Sequence, residues 1–271
     1  MLTVLRSGSA KRYLKFTDLG TRKVTTVDLN ADMAEGYGPY KMGDDEGMLE
    51  IVTSANIACG FHAGDPDIMD KTVRVALARG VDVGAHPGFN DVWGFGRRMI
   101  LGDSARTIEN LIAYQIGALQ AIAHAAGHQV THFKAHGALG NAMFSDRSLS
   151  DAVARAVKAV ARDLLYVIPP LTEGENAGMR AGLNVIREAF ADRAYTDEGH
   201  LVSRRLEGAV IHDPIEASRR VLAMIEDGCL TSASGKKLPV KVDTVTVHGD
   251  TAGAVHMAAT VKGSLIQAGI S

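Results

Sequence analysis

Four of the ten histidines in this 271-residue chain stand just after short apolar runs: His62, His86, His136 and His248. Imidazole titrates near neutrality, so it can move protons or bind a metal ion. Carboxylates repeat the placement. Asp28, Asp32 and Glu35 crowd the string DLNADMAEGYG; Asp65, Asp91 and Asp250 follow later runs. Cations are placed the same way, with Lys134 before AHGALGN and Arg97 and Arg98 after GFG. A guanidinium fork suits a carboxylate or phosphate, and a lysine suits a developing oxyanion. With a carboxylate or imidazole to relay protons, these are the parts of an acid–base centre. His and Asp at such positions could also hold a divalent ion, drawn from Asp28, Asp32, His62 and His86, although no compact H-E-x-x-H motif is present.

Competing structural roles attach to several of these residues. Asp65 precedes Pro66 as a helix N-cap would, and Asp250 could cap the last helix. Arg97 or Arg98 could tie loops together. Cys59 lies in a buried-strand run and reads as an apolar filler rather than a nucleophile. There is no G-x-S-x-G elbow. SASGKK, from Ser232 to Lys237, lacks the first glycine, the strand and the helix of a P-loop.

The elements that must position these groups alternate. Apolar runs predict strands at Val24–Leu29, Ser54–Cys59, Val81–His86, Thr131–Lys134, Leu164–Ile168, Asn184–Ala189 and Thr244–Val247. Helical spacing and caps predict helices over Asp44–Val52, from Asp65-Pro66 to Gly80, over Ser104–Ala126, Ser148–Arg162 and Ala252–Gln267, and one from Asp213-Pro214 to Gly228. Seven strands alternating with helices imply parallel pairing with right-handed crossovers. The expected fold is an α/β, TIM-like barrel of seven parallel strands, with an open doubly wound sheet as the alternative. Barrels and open sheets alike place chemistry where strands end, which is where the histidines fall. No GxGxxG follows the first strand, so dinucleotide binding has no support.

Composition sets outer bounds. Formal net charge is −2, from 29 Lys+Arg and 31 Asp+Glu, which argues against nucleic-acid or membrane surfaces. Two cysteines cannot form a disulfide framework and point to a reducing, cytoplasmic setting. Residues 1–23 carry six basic side chains and one acid with no apolar segment after them, and read as a poorly ordered arm or an oligomer contact rather than a secretion signal. Residues 24–271 read as one barrel domain. Within it, 192–243 breaks the rhythm and reads as an insertion that acts as a lid or as a contact in a homo-oligomer.

Six strings in order, VDLNADMAEGYG, TSANIACGFHAGDP, GAHPGFNDVWGFGRR, FKAHGALGN, FADRAYTDEGHLVSRR and VHGDT, closely resemble the lactam-utilisation (LamB/YcsF) family over residues 24 to 260. That family supplies the A subunit of bacterial ATP-dependent 5-oxoprolinase. The resemblance implies a seven-stranded β/α barrel similar to the glycoside-hydrolase and deacetylase barrels. It implies opening of the 5-oxoproline lactam to L-glutamate with partner subunits B and C, with ATP bound on those partners. The chain departs from the family pattern at Ala31 and Ala34, which stand for Cys and Gly, and at Ala135 and Gly140, which stand for Pro and Tyr. For that reaction the residues suggest Asp28 or Glu35 as the base and Lys134 with Arg97 or Arg98 as the holder of the oxyanion or phosphoryl charge. His86 and His136 move the proton to the ring nitrogen. Asn30, Asn56, His62, His248 and Asp250 complete the substrate contacts. Two other readings stand beside it: a metal-dependent deacetylase of sugar amides, and a non-catalytic scaffold subunit.

Overall fold

The computed structural model describes residues 26–250 and 253–271; the arm of residues 1–23 and the start of the first predicted strand lie outside them. In chain order the strands are β1 (Asp28–Met33), β2 (Ser54–Ala58), β3 (Asp82–His86), β4 (Val130–Lys134), β5 (Leu165–Ile168), β6 (Asn184–Phe190), β7 (Cys229–Thr231), β8 (Lys237–Pro239) and β9 (Thr244–Val247). The helices are α1 (Asp45–Leu49), α2 (Pro66–Arg79), α3 (Ala105–Ala125), α4 (Gly137–Ala142), α5 (Arg147–Ala161), α6 (Glu173–Ala181), α7 (Pro214–Glu226) and α8 (Ala254–Gln267). Seven strands close a parallel barrel in the order β1-β2-β3-β4-β5-β6-β9, with β9 returning to β1, and β7 and β8 form a separate antiparallel hairpin. The open-sheet alternative is thereby excluded.

The caps carry the signals read from the sequence. Asp65 accepts from the Asp67 and Ile68 amides, Pro66 takes the first turn of α2, and Gly80 ends that helix at φ 66°. Ser104 caps α3, and Asp213 with Pro214 starts α7. α7 packs on α8 and stands between β6 and β9 as a ring helix. The irregular parts of 192–243 are the loop before α7 and the β7–β8 hairpin after it.

β1 differs from its prediction. Among the described residues the strand is Asp28–Met33, running past the predicted end at Leu29, so the polar string is the strand itself and not its exit. Side chains alternate sides along a strand. Leu29, Ala31 and Met33 join the apolar layer between barrel and helices, while Asp28, Asn30 and Asp32 point into the barrel. The register carries this inward face round to Ser54 and Asn56, to Gly84 and His86, to His132 and Lys134, to Glu188, and to Thr244 and Thr246. Hydrogen bonds across the lumen confirm it. Asn30 Nδ2 donates to Thr244 Oγ1 at 2.7 Å, Asn56 Nδ2 to Asn30 Oδ1 at 2.7 Å, and His132 Nε2 meets Asn56 Oδ1 at 2.9 Å. The main apolar core is the layer outside the strands. Two short helices, α4 and α6, were absent from the sequence reading.

Candidate active site

Each parallel strand delivers its last residues to one end of the barrel. β1 runs on to Glu35, β2 to His62, β3 ends at His86, β4 at Lys134 and then His136, β6 runs on to Asp192, and β9 to His248. A cavity of about 580 Å³ opens at this end, floored by Asp32, Glu35, His86, Lys134, His136 and Glu188.

Lys134 is buried and held between two carboxylates, with Nζ 2.8 Å from Asp32 Oδ1 and 2.8 Å from Glu188 Oε1. Burial opposes its charge, but Asp32 and Glu188 outweigh burial and hold its pKa above the usual lysine range. Burial likewise opposes ionisation of Asp32, and His86 and Lys134 outweigh it, keeping this carboxyl well below the usual range. Thr246 Oγ1 donates to Glu188 in a short contact.

Beside Lys134, Glu35, His62, His86 and His136 present ligand atoms that all lie within 4.8 Å of one another. Glu35 Oε1 is 3.4 Å from His62 Nε2, 3.3 Å from His136 Nδ1 and 3.9 Å from His86 Nε2. The His62 and His136 rings stack at 3.7 Å. Backbone carbonyls fix two of the tautomers: His86 Nδ1 donates to Lys134 O at 3.0 Å, and His136 Nε2 donates to Phe95 O at 2.8 Å. The free lone pairs are then His86 Nε2 and His136 Nδ1, and these face each other at 3.0 Å. Two acceptors at that distance need a cation between them, a proton or a metal ion. Glu35 Oε1 and both ring nitrogens of His62 are buried without a hydrogen-bond partner among the described residues. Buried polar atoms seldom go unsatisfied, and carbonyl-oriented imidazoles are the usual setting of metal ligands. The residues therefore fit a divalent ion. Burial, and after it His136, pulls His62 down to about 3, so its ring is neutral at pH 7. For Glu35, burial acts upward and is outweighed by His136 and His62, so the carboxyl stays ionised.

Two glycines make room for these rings. Gly96 sits at φ 60°, and a Cβ there would come within 2.6 Å of His62 Cβ and 2.8 Å of His136 Cδ2. Gly84 on β3 lies directly under the His132 ring, where a Cβ has no space.

The structure gathers Glu35, His86, Lys134 and His136 at the cavity floor, with the buried His62 behind Glu35 and His136, and places His248, Arg97 and Asp250 around the mouth. His248 Nδ1 is bound to both oxygens of Asp192, at 2.9 and 2.8 Å. Arg97 pairs with Asp250 at 2.5 Å. Other residues fall elsewhere. Asp28 lies at the far, N-terminal end of the barrel, held by Thr53 Oγ1, Ser54 Oγ and Thr244 Oγ1 at 2.5, 2.8 and 2.5 Å, and so drops out of both the base and the metal set. Asn30 and Asn56 lie beneath the floor, outside the cavity lining; Asn56 donates to Asp32 Oδ1 at 2.9 Å and to Asn30 Oδ1 at 2.7 Å, so Asn56 positions Asp32 and Asn30 holds Asn56. Arg98 is turned onto Asp91 in a short ion pair. Asp65 is a cap that also binds the Gly38 amide at 2.8 Å. Cys59 is buried, and burial pushes its thiol up to about 12. SASGKK spans the turn of the β7–β8 hairpin. The sequence reading missed Glu188, Asp192 and Arg193. The charged positions inside the otherwise apolar run NVIREAF, on alternating sides, were the available signal for Glu188.

Fold and site together define a β/α-barrel protein with a buried histidine–carboxylate centre at the C-terminal face of its barrel. The profile of the LamB/YcsF family matches residues 27–271, and the chain belongs to that family. It is 55% identical over 248 residues to a protein named as the A subunit of 5-oxoprolinase from Rhodopseudomonas palustris (strain BisA53), covering 92% of this chain and 97% of that one. The relative of the same name from Gluconobacter oxydans (strain 621H) is 50% identical over 246 residues, covering 91% and 96%. The crystal structure of the lactam utilization protein from Thermus thermophilus superposes with a TM-score of 0.87 at 43% identity, covering 91% of this chain and 98% of that one. The resemblance drawn from the six sequence strings is thus confirmed, as is the seven-stranded barrel.

Proposed function

We propose that this chain is the ring-opening A subunit of an ATP-dependent 5-oxoprolinase, hydrolysing the lactam of 5-oxoproline to L-glutamate. The names of its relatives support the reaction. The observation that carries the assignment to this polypeptide is the cavity floor, where a buried ammonium, ionised carboxylates and converging imidazoles meet. A lactam is a resonance-stabilised amide that water attacks slowly. Activation as an O-phosphoryl derivative by subunits B and C, which would bind the ATP, makes the ring carbon electrophilic.

In this reading Lys134, fixed between Asp32 and Glu188, neutralises the anionic tetrahedral adduct that forms as water adds to the activated ring carbon. Asp32, ionised at neutral pH and 3.4 Å from His86, takes the proton from water. The ring C–N bond breaks, and His248, oriented by Asp192, gives the nitrogen its proton; the γ-glutamyl phosphate so formed is then hydrolysed by a second water, releasing inorganic phosphate and leaving L-glutamate. Glu35, His62, His86 and His136 would hold a divalent ion. Such an ion supplies Lewis-acid polarisation of a carbonyl or water, and the imidazole-rich set suits zinc, manganese, iron or cobalt. His86 and His136 are then ligands, which leaves proton delivery to His248. Exposed apolar side chains on the loops of the same face, with Trp93 96%, Leu101 85% and Tyr40 76% exposed, support assembly with partner subunits. A cytoplasmic setting fits such a complex, and among the described residues no helix is long and apolar enough to cross a membrane.

The test is glutamate release from 5-oxoproline with ATP, comparing this chain alone with the chain plus candidate B and C subunits. Release in the full mixture only, lost in Asp32→Asn, is the expected result. Release in the full mixture that survives Asp32→Asn assigns the chain a scaffold part. Chelator-sensitive deacetylation of a sugar amide without ATP or partners replaces the reading with the deacetylase one.

A further inference from the structure

The wall of the cavity facing its histidine floor is built differently. It comes from the loop between β6 and α7, and it brings Arg193, Arg204 and Arg205 to the same space as Arg97. Arg193 is the unusual member. Its side chain is only 6% exposed, yet among the described residues no carboxylate lies within ion-pair distance of it. Two backbone carbonyls orient the guanidinium: Nη2 donates to Val202 O at 2.7 Å and Nε to Ala209 O at 3.4 Å. Among the described residues Nη1 has no hydrogen-bond partner, and the side chain lines the cavity. Burial, and after it the neighbouring Arg204, pulls this guanidinium down to about 10, far enough above neutrality to leave it charged.

The acids on this side are spoken for. Asp250 is bound to Arg97, and Asp192 by both oxygens to His248. Arg204 and Arg205 have no ion-pair partner among the described residues and stand exposed. A buried guanidinium costs free energy unless an anion meets it. Here the fold pre-orients one by its own carbonyls and leaves its remaining N–H groups to a ligand.

We propose that Arg193 and Arg204 form an oxyanion subsite that reads the acidic end of the substrate while its amide lies on the Lys134 and histidine floor. This deepens the lactam reading and rests on it. The recognised chemistry is a small planar or tetrahedral oxyanion, which is either the carboxylate of the lactam acid itself or a phosphoryl group carried by its activated form. Guanidinium forks match both.

The test is equilibrium binding of the full chain, by calorimetry, to four probes: 5-oxoproline, its neutral primary amide, glutarate and inorganic phosphate. Wild-type, Arg204→Gln and Arg193→Gln chains are compared. Arg204→Gln is the exposed change that leaves folding intact, and circular dichroism checks Arg193→Gln, which also loses two carbonyl contacts. The expected result is 5-oxoproline binding at least tenfold tighter than its amide, with both substitutions removing that preference and leaving amide binding in place. Phosphate competing with 5-oxoproline, and weakened by Arg204→Gln, assigns the subsite to a phosphoryl group; no competition assigns it to the carboxylate. If 5-oxoproline and its amide bind equally, or if Arg204→Gln and a folded Arg193→Gln change nothing, the subsite is overturned while the lactam reading stands. If glutarate binds as well as 5-oxoproline and depends on both arginines, the subsite stands and the lactam reading falls. Failure of all four probes to bind overturns the subsite.

Discussion

Lys134 keeps its charge at the bottom of the cavity because Asp32 and Glu188 flank it, each at 2.8 Å. Removing one partner of a buried ionic set costs about 3–5 kcal/mol, because the other charges stay behind. Lys134→Ala is therefore expected to abolish ring opening and also to lower stability by about that amount at pH 7 in urea unfolding. The loss should shrink at pH 5, where the stranded Asp32 can take up a proton. Turnover near wild type would remove Lys134 from the chemistry. The histidines predict a pH dependence of their own. His62 and His132 are both pulled down to about 3, chiefly by burial. They stay neutral in the fold where unfolded histidine, near 6.5, binds a proton. The unfolded chain thus holds more protons below pH 6.5, and stability is full above that value and falls as pH drops toward 3. Each such histidine contributes about 1.4 kcal/mol per pH unit inside that window. Urea midpoints measured from pH 7 to 4.5 should fall, and His132→Asn should flatten the fall by one histidine's share. An unchanged curve would show that His132 already protonates in the native state.

Among the elements, α2 and β3 give opposite lessons. Asp65 satisfies two amides of α2 and the Gly38 amide across the loop. Asp65→Ala should cost about 1 kcal/mol or somewhat more in thermal unfolding while activity persists; loss of activity in a folded variant would return Asp65 to the site. Gly84→Ala pushes a methyl group into the His132 ring. It should cost about 2 kcal/mol or more, and no loss of melting temperature would show that the ring has another place to go. Six of the barrel strands and every long helix were legible because they advertise themselves locally, by apolar runs and by Asp-Pro, Ser and Gly signals. β1 was not, because period-2 alternation with charged residues looks like a strand followed by a polar exit; only a polar lumen makes DLNADM a strand. α6, with the sequence EGENAGMRA, is short and polar, and α4 carries two glycines, so neither shows an apolar stripe. The histidine centre was legible as a set because strand ends converge in a barrel. Glu188 and Asp192 were not, since their roles depend on contacts to Lys134 and His248 that lie 54 and 56 residues away. Of the two bases considered, Asp28 or Glu35, Asp28 lies at the N-terminal end of the barrel for the same reason as β1, since that strand begins at it and not before it.

At the scale of the whole molecule, the four converging ligands predict that metal and stability are linked. An ion bound only by the folded chain stabilises it by mass action, by about 4 kcal/mol at a thousandfold excess over its dissociation constant. Dialysis against a chelator should lower the melting temperature, and readdition of zinc or manganese should restore it with about one ion per chain by elemental analysis. His136→Gln should lose both responses; a melting curve indifferent to chelator and metals would leave the lone pair between His86 and His136 to a proton. The strand order has another consequence. β9 slots between β6 and β1, so the barrel cannot close until the chain has passed Val247. Thr244 and Thr246, which complete the bonds to Asp28, Asn30 and Glu188, are among the last groups to arrive. A polypeptide emerging from the ribosome must therefore carry six strands with an open seam between β6 and β1 until β9 arrives. A chain cut before Thr244 should remain protease-sensitive and dye-binding, which makes the synthesis of this barrel an all-or-nothing event decided near its C-terminus.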